Sequence, residues 1–298
     1  MLVVAISTRA LFDFSEENMV FEKKGIASYT EYQHKNENIP LSQGVCFPLV
    51  KKLLHLNTIS DQPLVEVILC SRNSADSGLR VFNSISHYQL PITRAIFSDG
   101  QPVHHYLKSY DADLFLSANA DDVKQSLALG IASATIMSMP QQPFDERDNT
   151  QLRIAFDADC VLFSDAIEKI NKEQGLAAFS ENEKKHAHIA LPDGPFSSFI
   201  KKFSNIQSSL AAPSQIRTAL VTARSAPAHE RVIRTLRLWN VVIDESFFLG
   251  GHNKAAILSA FKPDIFFDDR FSNCSLSSQH VATGHVPYGI TNEEVEGL

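Results

Sequence analysis

The fold of this chain can be worked out from the stretch Ile154-Ala155-Phe156-Asp157-Ala158-Asp159-Cys160-Val161-Leu162-Phe163. Its first three residues form a short apolar run that is typical of a buried β-strand. Two carboxylates follow, two residues apart, and at the end of such a strand they point into a loop. One of them can attack phosphorus while the other moves protons. The stretch therefore predicts a phosphoryl-transfer site at the end of a buried strand.

Composition limits the partners of the chain. It has 298 residues and a formal net charge of -7, and its isoelectric point is near 5.9. Nucleic-acid grooves and polybasic membrane surfaces need clustered lysine and arginine, so we expect neither nucleic acid nor membrane as a partner. No apolar run approaches the ~18 residues of a membrane span. Residues 1–7 predict a first β-strand rather than a signal peptide, because they lack a basic start and a long apolar run.

The cysteines indicate the compartment. They lie far apart, mostly inside apolar runs, and show no CxxC spacing, at positions Cys46, Cys70, Cys160 and Cys274. This pattern predicts reduced thiols in a hydrophobic core, which is typical of a cytoplasmic protein.

The chain repeats itself. Residues 67–119 align with residues 218–270 at a constant shift of 151, without a gap. The identities include Ser74 with Ser225, Arg80 with Arg231, Gly100 with Gly251, and Asp113 with Asp264. Upstream, a shift of 150 pairs Gly44 with Gly194 and Lys51-Lys52 with Lys201-Lys202. We expect a duplicated α/β unit of about 150 residues, the usual size of a domain. Chance agreement between two units of similar strand and helix spacing is the alternative.

The expected units are residues 1–145 and 146–298, joined by a polar connector with two prolines at residues 137–150. Apolar strands alternate with helices in both, which favours a parallel sheet between two layers of helices. The expected strands include residues 3–7, 65–70 and 113–117 in the first half, and 153–157, 217–222 and 264–268 in the second. Helices are expected at residues 77–88 and 227–239, and polar insertions at about 14–60 and 164–214.

Polar side chains follow the strands of the second half. Asp157 and Asp159 end the first strand, Thr222 ends the next, and the pair Asp268-Asp269 ends a later one. Lys254 lies near a helix start. Because ligands bind at the carboxyl ends of parallel strands, we expect these side chains to converge. They supply a nucleophile, oxygen ligands for Mg²⁺, and donors and fixed positive charge for phosphate oxygens, which phosphoryl transfer requires.

These motifs resemble the four motifs of the haloacid dehalogenase-like phosphohydrolases: an Asp-x-Asp strand end, a strand-ending Thr or Ser, a Lys, and a strand-ending acidic pair. More narrowly, the chain resembles the cytosolic 5′-nucleotidase I family over nearly its whole length. The matching runs include Ser7-Thr8-Arg9-Ala10-Leu11-Phe12-Asp13, Leu116-Ser117-Ala118-Asn119-Ala120-Asp121-Asp122 and Val221-Thr222-Ala223-Arg224-Ser225-Ala226-Pro227. The resemblance implies two Rossmann-like units of the haloacid dehalogenase type, with a small helical cap inserted in the second at about 164–214. Cys160 stands where Ala, Val or Thr is expected, a change that should not affect the chemistry.

The resemblance also implies a role for each residue. Asp157 is expected to attack a nucleoside 5′-monophosphate and form an aspartyl-phosphate, and Asp159 to act first as general acid and then as general base. Thr222 and Lys254 are expected to hold the transferring oxygens. The expected Mg²⁺ ligands are Asp157, the backbone carbonyl of Asp159, Asp268 and, beside it, Asp269.

The first half lacks this set. Under the same shifts Ser7 replaces Asp157, Arg9 replaces Asp159, Val103 replaces Lys254 and Ser117 replaces Asp268, while Ser71 keeps the hydroxyl of Thr222. We therefore expect a catalytically silent half. Two roles stay open for it. Arg9 and Arg72 can bind an anion such as a regulatory nucleotide, or the half is structural and helps shape the cleft.

Specificity is the least defined property. The phenylalanines of the insertion, Phe179, Phe196, Phe199 and Phe203, either stack a base or form the core of the cap. Arg224, Ser225 and His229 follow Thr222 and can contact substrate. The resemblance suggests AMP or deoxynucleoside monophosphates. A phosphatase of another small phosphomonoester and a catalytically inactive nucleotide-sensing protein are the alternatives, and a homo-oligomer is possible.

Overall fold

The computed structural model of the protein describes residues 1–139, 150–212 and 215–293. Its strands are β1 (Leu2–Ser7), β2 (Phe12–Asp13), β3 (Ser42–Gln43), β4 (Val65–Ser71), β5 (Arg94–Phe97), β6 (Leu114–Ser117), β7 (Ala132–Ile136), β8 (Leu152–Phe156), β9 (Ile216–Thr222), β10 (Glu245–Phe248), β11 (Ile265–Asp268) and β12 (Thr283–His285). Its helices are α1 (Thr8–Leu11), α2 (Ser15–Lys35), α3 (Phe47–His55), α4 (Leu79–His87), α5 (His104–Leu107), α6 (Ala120–Ala128), α7 (Ala166–Lys185), α8 (Ser197–Ser209), α9 (His229–Leu238), α10 (Ala255–Phe261), α11 (Phe271–Ser277) and α12 (Ile290–Glu293).

Across the described residues, ten strands form one sheet in the order β10-β9-β8-β11-β12-β7-β6-β1-β4-β5. Neighbouring strands are parallel, except that β7 and β12 pair antiparallel where the two halves of the chain meet. Strands β2 and β3 form a separate antiparallel pair. Each half therefore contributes five consecutive strands, and the two sets are joined edge to edge.

Both faces of the sheet are covered by apolar packing. In β1, Val3 and Ala5 belong to a cluster that also contains Leu107 of α5 and Val123 of α6. The alternate β1 residues, such as Val4, belong to a larger cluster on the other face. A parallel sheet needs helices on both faces because successive side chains of a strand point to opposite sides. The predicted α/β class with a mostly parallel, Rossmann-like sheet is confirmed.

The predicted strand bounds agree with the structure to within one residue, and α4 and α9 are shorter than predicted by two residues at their starts and one at their ends. The predicted helix starts fall on turns, because residues 75–78 and 226–228 precede the first regular helical hydrogen bonds. The predicted connector at 137–150 and the boundary near residue 145 lie mostly outside the described residues, which end at 139 and resume at 150.

Two ion pairs join the halves of the chain in a reciprocal manner. Lys52 Nζ lies 2.7 Å from Asp264 Oδ1, and Lys202 Nζ lies 2.6 Å from Asp113 Oδ2. The same two carboxylates also accept backbone hydrogen bonds near the starts of two strands. Asp264 accepts from Arg153 N of β8, and Asp113 accepts from Val3 N of β1. Corresponding residues of the two halves therefore make corresponding contacts.

The insertion at 164–214 contains α7 and α8, which differ in what they pack against. The ring centroids of Phe196 and Phe267 are 4.8 Å apart, and those of Phe156 and Phe199 are 6.3 Å apart. Phe203 stacks on Phe199. Phe196, which directly precedes α8, and Phe199 and Phe203 of α8 thus pack against the sheet and do not form the separate core of a cap. The remaining part, α7, bends at Gly175, where φ is 83°, as α2 bends at Gly25, where φ is 77°.

The cysteines are free and buried, which confirms the predicted core thiols. None of the helices in the described ranges is long and apolar enough to cross a membrane.

Candidate active site

Three carboxylates and one ammonium meet at the carboxyl ends of β8 and β11, which are neighbours in the sheet. Asp157 follows β8, Asp268 ends β11, and Asp269 comes next. Lys254, directly before α10, places Nζ 2.7 Å from Asp157 Oδ2 and 2.7 Å from Asp268 Oδ2. The structure thus brings four of the predicted residues to one point, because β8 and β11 are adjacent and Lys254 reaches the ends of both strands.

Burial dominates the electrostatics of these four residues, none of which is more than 7% exposed. Burial raises the pKa of Asp157 to about 7, although Lys254 opposes the shift. Burial and the neighbouring Asp157 and Asp268 also raise the pKa of Asp269 well above its usual value. Burial alone would lower the pKa of Lys254, but Asp157 and Asp268 together raise it above its usual value, so the ammonium stays charged. One buried cation therefore pairs with two of the three carboxyl groups, Asp157 and Asp268.

This donor set fits a divalent metal ion. Oxygen atoms of Asp157, Asp268 and Asp269 all lie within 4.8 Å of one another. Hard cations such as Mg²⁺ prefer carboxylate oxygens, and a further positive charge would keep these crowded groups ionised. Asp268 is fixed in place, since its Oδ1 accepts hydrogen bonds from Arg270 N at 2.9 Å and Asn273 Nδ2 at 3.1 Å. The acidic groups can therefore bind a metal.

A second acidic group fits a metal less well. Ligand atoms of Cys160, Glu168 and Asp269 also lie within 4.8 Å of one another. Burial, with the nearby acids, raises the pKa of the Cys160 thiol, and its Sγ donates to Glu168 Oε2 at 2.8 Å. A protonated thiol is a poor ligand for a hard cation, because the thiolate is the metal-binding form.

Asp159 is bound by an arginine. Arg224 donates to it in a bidentate manner, from Nε to Oδ2 at 2.8 Å and from Nη2 to Oδ1 at 2.7 Å. Burial alone would lower the pKa of the Arg224 guanidinium, but Asp159 and Glu183 raise it above its usual value. The guanidinium is thus occupied by two carboxylates, which leaves less of it for the substrate contact suggested by the sequence. The Asp159 side chain itself is 24% exposed and can meet solvent.

The other predicted residues lie at or beyond the end of β9. Thr222 is buried, and its Oγ1 accepts a hydrogen bond from Arg224 N at 3.2 Å. Ser225 is exposed on the loop that follows. His229 packs edge to face on Phe248, with ring centroids 5.9 Å apart, and its buried Nδ1 has no hydrogen-bond partner in the described part of the chain. Thr222 and Ser225 therefore lie near the carboxyl end of the strand, whereas the His229 ring is turned towards β10.

The sequence did not predict two sets of contacts made by α7. Glu168 pairs with Arg270, which directly follows the acidic pair. Glu183 pairs with both Arg224 and Arg231. Both glutamates come from a polar, charge-rich helix whose pattern resembles a solvated surface. The available signal was Arg231 itself, because an arginine recurs at the corresponding position, Arg80.

The corresponding edge of the first half holds a pocket of about 450 Å³. It is lined by Ser7, Arg9, Phe21, Tyr29, Arg72 and Asp122, among others. Arg72 Nε lies 2.7 Å from Asp122 Oδ2, so a buried carboxylate neutralises this arginine. Arg9 is exposed and makes no ion pair within the ranges that the structure describes. Of the two arginines that the sequence suggested for an anion, only Arg9 is unpaired.

Comparisons with known proteins agree with this geometry. A family model described as 5′-nucleotidase matches residues 1–293. Cytosolic 5′-nucleotidase 1B of Homo sapiens is 38% identical over 280 residues, which are 90% of this chain and 46% of that protein. The chain thus spans about half the length of this curated relative. No solved structure matches the present chain. Because the family model covers almost the whole chain, the protein belongs to the 5′-nucleotidase family.

Proposed function

We propose that the protein is a Mg²⁺-dependent 5′-nucleotidase that hydrolyses nucleoside 5′-monophosphates, such as AMP or deoxynucleotides, to nucleoside and phosphate. The observation that carries this proposal is the buried Lys254, whose Nζ bridges Asp157 and Asp268 at 2.7 Å each. A buried cation between a nucleophile and a metal-binding carboxylate is suited to a dianionic phosphate that has to be neutralised away from water.

The reaction proceeds in two steps. An Asp157 carboxylate oxygen attacks phosphorus, the bond from phosphorus to the ribose 5′-oxygen breaks, and Asp159 donates its proton to that oxygen. Asp159 then removes a proton from water, which attacks the aspartyl-phosphate and releases phosphate and the Asp157 carboxylate. Lys254 and Thr222 hold the phosphate oxygens. Asp159 suits both proton transfers because its side chain is partly exposed, whereas Asp157 is buried beside Lys254.

Asp157, Asp268 and Asp269 would hold the metal in this proposal, together with the backbone carbonyl of Asp159. A bound Mg²⁺ supplies positive charge that offsets the phosphate oxygens and keeps the Asp157 carboxyl ionised. The support is the three crowded carboxyl groups and the raised pKa values of Asp157 and Asp269, since a carboxylic acid that stays protonated is a poor nucleophile.

Phosphate release from a panel of nucleoside 5′-monophosphates and sugar phosphates tests the function. We expect release from nucleoside monophosphates with Mg²⁺, and loss of nearly all activity with EDTA that is restored by excess Mg²⁺. Preferential release from sugar phosphates would favour a phosphatase of another small phosphomonoester. Binding of nucleotides without release would favour a catalytically inactive nucleotide-sensing protein. Turnover that persists in EDTA would contradict the metal requirement.

We also propose that the two halves arose by duplication, as units 1–145 and 146–298. The support is the reciprocal order of their strands and the reciprocal pairs Lys52 with Asp264 and Lys202 with Asp113. In this proposal the bent helix α7 forms the cap of the second unit. The first unit is catalytically silent because Ser7, Arg9 and Ser117 stand in place of Asp157, Asp159 and Asp268, and Val103 stands in place of Lys254. A cytoplasmic location accords with the free, buried thiols and with the name of the human relative.

The pocket of the silent half is proposed to bind a regulatory nucleotide, with Arg9 as the group that contacts its phosphate; the structural role is the alternative. Equilibrium dialysis of AMP with an Asp157→Asn variant measures the stoichiometry. We expect about two nucleotides per chain, and one per chain after Arg9→Ala is added, because the unpaired guanidinium is removed. A single site in both proteins would leave the structural role.

A further inference from the structure

A network of charged side chains connects helix α7 to Asp159. Glu183 Oε2 accepts a hydrogen bond from Arg224 Nη1, and Arg224 donates to both oxygens of Asp159 through Nε and Nη2. The other Glu183 oxygen accepts from Arg231 Nη1 at 2.8 Å. Three of these side chains are buried: Glu183 is 0% exposed, Arg224 4% and Arg231 6%. Asp159 is the residue of this network whose side chain reaches solvent.

The contacts leave the Arg224 guanidinium one orientation. Its Nε and Nη2 face Asp159, and its Nη1 faces Glu183 and, at 3.4 Å, the carbonyl of Ala228. The ring of Phe179, also on α7, lies 5.5 Å from its Cζ. Because a guanidinium is planar and its donors have fixed directions, a carboxylate on one edge determines where the opposite edge points. The position of Glu183 therefore determines the orientation of the Asp159 carboxylate.

Glu183 is itself anchored away from the reacting atoms. Its second partner, Arg231 of α9, donates from Nε to the carbonyl of Ile189 at 2.7 Å and from Nη2 to that of Ala190 at 3.4 Å. The loop after α7 is thereby joined to α9. Glu183 lies on α7, so a movement of α7 would displace the carboxylate that contacts Arg224.

The first half has a counterpart of the Arg231 contacts but no counterpart of the pair between Arg224 and Asp159. Arg80, which corresponds to Arg231, contacts Glu17 Oε1 at 2.6 Å, Gln33 Oε1 at 3.2 Å and the carbonyl of Ile39 at 2.9 Å. Gln33 occupies the position of Glu183, and Asn73 occupies that of Arg224. The structural contact to the helix is thus present in both halves. The charged connection to the strand end occurs where Asp159 is present and is missing where Arg9 replaces it.

We propose that Glu183 is a positioning residue for the proposed general acid and base: it acts through Arg224 to hold the Asp159 carboxylate, and it makes this orientation depend on the placement of α7. The role rests on the proposed nucleotidase function. Glu183 is fully buried and does not reach the substrate, so it affects proton transfer and leaves substrate affinity unchanged.

Steady-state kinetics of Glu183→Gln with a nucleoside monophosphate and Mg²⁺ test this role. An uncharged amide can accept from one arginine but cannot pair with both, so we expect kcat to fall about tenfold while KM stays within twofold. Glu17→Gln is the matched control, because it also removes a buried carboxylate from an arginine pair, but in the silent half. It should lower Tm by a similar amount and leave kcat unchanged.

A double-mutant cycle separates positioning from a purely structural role. In an Arg224→Gln background the connection is already broken, so Glu183→Gln should lower kcat by less than twofold. A tenfold loss in that background as well, an equal loss of kcat in Glu17→Gln, or an unchanged kcat in Glu183→Gln would each overturn the role while the nucleotidase function stands. A wild-type protein that releases no phosphate would overturn the proposed function and this role with it.

Discussion

Replacing Asp157 by asparagine should abolish phosphate release while the protein stays folded. The amide has nearly the shape of the carboxyl group but cannot form the aspartyl-phosphate, so we expect kcat to fall by about 10⁴-fold or more, the scale seen when a nucleophile is removed. Phosphate release under saturating substrate measures the loss. The buried Lys254 keeps Asp268 as a partner at 2.7 Å, so the substitution leaves no unpaired cation.

The same variant should change how stability depends on pH. Burial raises the pKa of the Asp157 carboxyl from 3.8 to about 7 in the folded, metal-free protein. Between those values the folded state binds more protons than the unfolded state, so the contribution of this group to the free energy of unfolding decreases as the pH rises from about 4 to 7. Asparagine removes this contribution. In EDTA, the stability of Asp157→Asn relative to wild type should therefore increase from pH 5 to pH 7.5.

Ser7→Ala is the control for both effects, since Ser7 stands at the position of Asp157 in the silent half. It should leave kcat unchanged and lower stability slightly, because the hydroxyl accepts hydrogen bonds from Ala10 N and Ala118 N. Substantial residual activity in Asp157→Asn, or a comparable loss of kcat in Ser7→Ala, would contradict the assignment of the nucleophile to the second half.

The carboxyl ends of the strands could be predicted from the sequence because they depend on local patterns. A buried parallel strand requires a run of apolar residues, and the polar residue that follows marks its end. Asp157 and the pair Asp268-Asp269 could therefore be assigned to one edge of the sheet from the sequence. Their chemistry, phosphoryl transfer, was indicated by the combination of carboxylates, a hydroxyl and an ammonium, and not by any single residue.

The contacts of α7 could not be predicted in this way. Arg224 meets Asp159 across 65 positions of sequence and Glu183 across 41, and both pairs depend on the path of a helix that bends at Gly175. The phenylalanines of α8 were ambiguous for a related reason. An apolar stripe records that one face of a helix is buried, but it does not record whether a sheet or a second helix covers that face.

The edge-to-edge joining of the two halves could not be predicted from the sequence either. The antiparallel pairing of β7 with β12 connects two strands that each complete a parallel set. Their residues satisfy the same apolar pattern whether the strand is an edge or is paired. The expectation of two units accordingly did not include one sheet that extends through both of them.

Replacing Lys254 by methionine should produce a large loss of stability. Methionine preserves length and apolar bulk, but it leaves the buried carboxyls of Asp157 and Asp268 without the cation that pairs with both of them. Removing one partner of a buried ion pair typically costs about 3–5 kcal/mol, because the remaining charge is desolvated and unpaired. Lys254 opposes the rise in the pKa of Asp157, so without the ammonium this carboxyl is easier to protonate, and the loss of stability should be smaller at pH 5 than at pH 8. Urea unfolding at both pH values, with EDTA present, measures it.

Lys202→Met is the matched control for Lys254→Met. Lys202 also pairs with an aspartate at 2.6 Å, but its side chain is 40% exposed, and partly exposed pairs contribute at most about 1 kcal/mol. Mg²⁺ should restore more stability to Lys254→Met than to the control, since a metal ion supplies the missing positive charge to the same oxygens. Activity should not return with it: we expect kcat to stay at least about 10²-fold below wild type, because the donor to the transferring oxygens is still missing. Equal unfolding midpoints for the two variants would contradict the electrostatic role of the buried lysine, and wild-type kcat in Lys254→Met with Mg²⁺ would contradict its role in catalysis.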